Sequence, residues 1–76
     1  MTLADGKIDM DYIVEKVDLP VTLEKRMEAL GMTVGSKVTL VHQKRNKTSV
    51  ILIRGTKFAI GRDVASSIHV REVVNE

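Results

Sequence analysis

The segment Leu23-Glu24-Lys25-Arg26-Met27-Glu28-Ala29-Leu30-Gly31-Met32-Thr33-Val34-Gly35 constrains this chain most, because it compresses a short helix, its stop and a following turn into one stretch. Leu23, Met27 and Leu30 recur at i, i+4 and i+7, so they share one helical face. Gly31 stands where a helix ends most easily in the left-handed conformation, and Gly35 offers the same freedom just before a strand-like run. The pattern predicts one helix inserted into an otherwise strand-rich chain.

The flanking sequence sets the rest of the expected order. Met10 to Val17 reads as an unevenly alternating strand, with Met10, Tyr12 and Val14 on one face and Ile13 and Val17 on the other. Asp18-Leu19-Pro20 interrupts it, and Thr22 is the expected N-cap of a helix starting at Leu23. From Ser36 the period becomes two. Val38, Leu40 and His42 alternate with Lys37, Thr39, Val41 and Gln43, and a second run, Val50 to Arg54, follows the basic stretch Lys44 to Thr48. Asn46 is the expected left-handed residue of that hairpin. Arg54-Gly55-Thr56-Lys57 suggests a type II′ turn centred on Gly55 and Thr56. Phe58 to Ile60 is then a short strand, Asp63 to Ala65 one helical turn, and Ile68 to Val70 the closing strand, with Val74-Asn75-Glu76 expected to fray.

Five short strands around one short helix suit a small, partly open β-barrel, which limits unpaired edges. With 76 residues the chain is expected to form a single domain over residues 1–76, too small for a deep enclosed pocket. Only Tyr12 and Phe58 are aromatic, so the core must be aliphatic, and base stacking is poorly supported. The absence of cysteine excludes disulfides, thiolate metal sites and a cysteine nucleophile, and fits a reducing compartment. No apolar run approaches the ~18 residues of a membrane span, and the amino-terminal residues do not read as a signal peptide. A soluble cytoplasmic protein is expected.

The net charge of +2 hides an asymmetry. Up to Gly35 there are four Lys/Arg against seven Asp/Glu, and from Ser36 onward eight against three, which makes −3 and +5. Such faces favour a charged partner. Lys44, Arg45, Lys47 and Arg62 are the candidate contact residues on the basic side. Met32, just past the helix, is the candidate apolar contact at the rim of a groove between helix and barrel.

Catalytic and metal patterns are missing. His42 and His69 lie on separate expected strands, and neither they nor Asp5, Asp9, Asp11 and Asp63 have ligand spacing, so no metal site and no cofactor are expected. Ser49, Ser66 and Ser67 lack the context of an activated nucleophile, so no catalytic residue is assigned.

The order Leu19-Pro20, Leu23-x-x-Arg26-Met27-x-x-Leu30-Gly31-Met32-x-x-Gly35-x-x-Val38, Arg54-Gly55, Phe58-Ala59-Ile60, Ala65 and Ile68-x-Val70 resembles the FeoA family over about residues 12 to 70. The resemblance departs at Val34, where the family commonly has proline, and at Gly61, where arginine commonly follows the short strand. It implies an SH3-like barrel, a domain also found at the C-terminus of DtxR-type iron-dependent repressors. Leu23, Leu30, Gly31, Gly35, Gly55, Ala59 and Ile68 would then determine shape rather than chemistry. It further implies a non-enzymatic accessory protein of bacterial ferrous-iron uptake that binds the cytosolic region of the FeoB transporter, with weak self-association allowed. The alternative is a nucleic-acid-binding or transcription-regulator-associated SH3-like barrel, drawn from the basic hairpin. The lack of interleaved aromatics argues against nucleic acid.

Overall fold

The computed structural model describes residues 1–73, so the expected fraying at Val74 to Glu76 lies outside them. A 3-10 turn, Leu3–Asp5, precedes strand β1 (Asp11–Val17), helix α1 (Val21–Ala29) and strands β2 (Lys37–Gln43), β3 (Ser49–Ile53) and β4 (Thr56–Ile60). A four-residue helix α2 (Arg62–Ala65) leads to β5 (Ile68–Glu72). The strands form one antiparallel sheet in the order β4-β3-β2-β1-β5. Its outer strands β4 and β5 do not pair with each other, so the sheet stays open as expected.

The core is aliphatic around one ring. Tyr12, Val14, Val38, Leu40, Ile51, Ile53, Ile68 and Val70 are buried from the strands, joined by Met27 from α1 and Ala65 from α2. Tyr12 is wholly buried, and its hydroxyl accepts a hydrogen bond from the Lys7 N–H at 2.7 Å, which satisfies the one polar atom of the ring. The amino-terminal segment, to which no element was assigned from sequence, adds Leu3 to this core. Val70 N–H donates to the Met1 carbonyl at 3.0 Å and Thr2 bridges His69, so this segment flanks β5.

Several expectations are corrected by local geometry. Helix α1 begins at Val21, not Leu23, with Pro20 at its N-cap. The Glu24 N–H bonds the Pro20 carbonyl at 2.9 Å, and a fixed proline φ with no N–H costs nothing in a first turn. The uneven pattern of β1 is a bulge between Val14 and Lys16. A second bulge between Leu40 and His42 shifts the alternation of β2, so His42 is exposed instead of sharing the inner face of Val38 and Leu40. The tight loop is Arg54-Gly55, with φ of +50° and +83°, which is a type I′ arrangement one residue earlier than the expected II′ turn. Strand β4 consequently starts at Thr56 and is longer than the expected Phe58 to Ile60. In the basic hairpin Lys47, at φ +67°, takes the left-handed position, whereas Asn46 stabilises the turn by accepting the Thr48 N–H at 3.2 Å.

The helix stop is a Schellman motif. Gly31 at φ +102° donates its N–H to the Glu28 carbonyl and Met32 donates to the Met27 carbonyl, both at 2.9 Å. A Cβ on Gly31 would lie 3.0 Å from Ile53 Cγ2 and 3.3 Å from Arg54 Cδ, so the helix end is pressed against the β3–β4 hairpin. Gly35, at φ +91°, has nothing near the same position, and its N–H reaches the Val14 carbonyl at 2.7 Å. Gly31→Ala should therefore cost about 1–3 kcal/mol and Gly35→Ala only about 1 kcal/mol in denaturant unfolding. Equal losses at the two sites would show that the Ile53 contact contributes nothing. Tyr12→Phe should lower stability by about 1 kcal/mol by removing the acceptor of the Lys7 N–H, with the core otherwise unchanged.

Candidate functional site

Sheet register assembles a cationic cleft at one end of the sheet. Gln43 pairs with Ser49 and Ser49 with Ile60, so the end of β2, the start of β3 and the end of β4 lie side by side. The chain leaves β2 into the Lys44–Lys47 turn at the same end where β4 passes through Gly61 into Arg62. The turn is tied by Lys47 N–H to the Lys44 carbonyl at 2.8 Å and by Lys44 N–H to the Thr48 carbonyl at 2.9 Å. Arg62 opens α2, whose single turn is closed by the Ala65 N–H on the Gly61 carbonyl at 3.0 Å and anchored by the buried Ala65. Between them lies an open cleft of about 270 Å³, lined by Ala4, Gln43, Lys44, Arg45, Lys47 and Arg62.

The four candidate basic contacts from the sequence thus meet in one place, although Arg62 is far from the others along the chain. All four are exposed, and none lies within 4.0 Å of a carboxylate among the described residues, whose ion pair, Lys37 with Asp11, is elsewhere. Sequence reasoning missed Ala4 and Gln43, since neither carries a charge or motif that marks it.

Met32 is corrected. It is wholly buried, not at a groove rim, because the Schellman turn reverses the chain and carries Met32 inward near Met27. Leu30 takes the outer position instead, at 42% exposed, and Leu23 is half-buried, so Met27 alone of the expected helical stripe is buried. The groove beside the helix exit is lined by Thr33, Val34, Gly35, Ser36, Lys37 and Arg54, with Val34 69% exposed. Of the remaining shape residues, Ile68 and Gly31 are buried, while Gly35, Gly55 and Ala59 are exposed.

Chemistry-bearing groups do not converge. His42 lies on β2 and His69 on β5, with β1 between those strands, and no group of three His, Cys, Asp or Glu side chains gathers among the described residues. Ser67 Oγ donates to the Asp63 carbonyl at 3.2 Å, and Ser49 Oγ is buried with no hydrogen-bond partner among the described residues. What the surface offers is charge and shape. No helix is long and apolar enough to cross a membrane among the described residues.

The family model of the FeoA domain matches residues 1–72. The chain belongs to the FeoA family. It is 31% identical over 70 residues to the "Putative Fe(2+) transport protein A" of Methanocaldococcus jannaschii, covering 92% of this chain and 84% of that protein. Among solved structures, the FeoA protein of Chlorobium tepidum superimposes with a TM-score of 0.92 at 19% identity, covering all of this chain and 73% of that one. The FeoA of Stenotrophomonas maltophilia, described as a prokaryotic SH3 domain protein and solved in complex with zinc, gives 0.80 at 25% identity over 93% of this chain and 89% of that one. FeoA membership agrees with the resemblance read from the ordered motifs between Leu19 and Val70 and places the chain in the context of ferrous-iron transport.

The apolar candidate contact and the basic ones now differ in kind. Met32→Glu should cost more than about 3 kcal/mol, because it buries a charge without a partner. Arg62→Ala should change stability by less than about 0.5 kcal/mol. Thermal or denaturant unfolding of both variants checks this, and a stable Met32→Glu protein would contradict the buried position of the side chain.

Proposed function

We propose that this FeoA-family chain acts in the cytoplasm as a non-catalytic accessory protein that binds the cytosolic region of the FeoB ferrous-iron transporter and modulates it. Residues 1–76 act as one domain in this reading. The observation that carries it is the gathering of Lys44, Arg45, Lys47 and Arg62 on an exposed, hydrogen-bonded scaffold, in a family tied to ferrous-iron transport. Both clefts are open to solvent and walled in part by lysine and arginine, which suits a macromolecular contact better than enclosure of a small substrate. The Stenotrophomonas maltophilia relative is itself described as a candidate activating factor for ferrous-iron transport. Modulation would follow from population shift, with the chain binding one conformation of the transporter's cytosolic part more tightly than another.

Titration of the full chain against the cytosolic region of FeoB from the same cell tests this. Saturable binding with a Kd between about 1 μM and 1 mM is expected, together with a changed rate of nucleotide hydrolysis by the partner. No binding up to about 1 mM, with retardation of generic DNA that is lost steeply as salt rises, would overturn the reading in favour of a nucleic-acid module.

A further inference from the structure

We propose that the cleft between the Lys44–Lys47 turn, Ala4 and Arg62 docks an extended, carboxylate-rich segment of a protein partner. The inference deepens the reading above and rests on it for the partner's identity, though not for the chemistry of the site. Four like charges from two separate stretches of chain face one cleft and are paired with no carboxylate among the described residues. An anionic ligand relieves their mutual repulsion, and a cleft walled by one sign of charge raises the local concentration of such a ligand.

The backbone that carries these charges is ordered before any ligand arrives. The turn is tied across its ends by two backbone bonds and an asparagine side chain, and Arg62 follows a strand end fixed by its pairing with β3. The ordering left for a ligand to impose is that of the four exposed side chains. The cleft is open, so one free anion keeps much of its hydration there, whereas a chain with several carboxylates engages all four cations at once. Nucleic acid fits less well. Tyr12 is buried, Phe58 is half-buried, and no aromatic lines the cleft for a base to stack on. A bilayer fits less well too, because among the described residues Ala4 is the one apolar residue of the lining and its methyl group is too small to insert.

The test follows the isotope-labelled full chain by NMR during addition of a glutamate octapeptide, a uridylate octanucleotide and, separately, the cytosolic region of FeoB. The glutamate peptide is expected to shift the amides of Gln43 to Thr48 and Gly61 to Asp63. Its affinity should fall roughly tenfold as salt rises from about 50 to about 200 mM. A double variant, Arg45→Glu with Arg62→Glu, should keep the rest of the spectrum and lose at least roughly tenfold in affinity for the peptide and for FeoB alike. Absence of shifts at the cleft, equal or tighter binding of the oligonucleotide, or the same shifts produced by raising the protein's own concentration would overturn the proposal. Peptide docking at the cleft without any FeoB binding would sink the transporter reading and leave this one standing. FeoB binding equally to wild type and double variant would do the reverse.

Discussion

Gly31 reverses the chain at the end of α1 and lets two carbonyls of the last helical turn find donors in the same step, the Glu28 carbonyl from its own N–H and the Met27 carbonyl from Met32. The reversal decides which side chains meet. Met32 goes into the core near Met27, Leu30 is left outside, and the backbone at Gly31 comes close enough to Ile53 and Arg54 that a methyl group there would be crowded. A helix of nine residues is marginal by itself, so it depends on this docking more than on its own propensity. The Val14 and Gly35 hydrogen bond then starts the pairing of β1 with β2 from the other side of the loop.

The sheet that results brings the four basic candidate residues together without any of them being part of its core. Consecutive antiparallel pairings place every second strand end at the same edge of the sheet, so the β2–β3 turn and the β4 exit share one end. The 3-10 turn at Leu3–Asp5 joins them because Leu3 fills the core beside it and the first residues bond along β5. A positive cleft is therefore a by-product of topology acting on a basic carboxyl-terminal half. Its side chains can change with little cost to the fold, whereas Tyr12, Met32 and Ile53 cannot.

Much of this was legible in one dimension, and the misses share a cause. Glycine and proline positions, alternation of period two and the Leu23–Gly35 segment marked the five strands, the helix and the family. The misplaced details were those that depend on register. His42 left the inner face because of a bulge at Val41, and the tight turn moved to Arg54-Gly55 because Ile53 pairs with Thr56. A single extra residue in a strand flips every later side chain, and composition carries no mark of it.

The sequence by itself determined the class of fold and the sign of the charge on its carboxyl-terminal half, because apolar period, glycine placement and residue type are local properties. Tertiary structure alone decided which residues form a surface. It sent Met32 inward and Val34 outward, brought Arg62 to the Lys44–Lys47 turn, and recruited Ala4 from the other end of the chain. The physical reason is that burial and convergence are set by pairing and packing between segments distant in sequence, which no local pattern encodes.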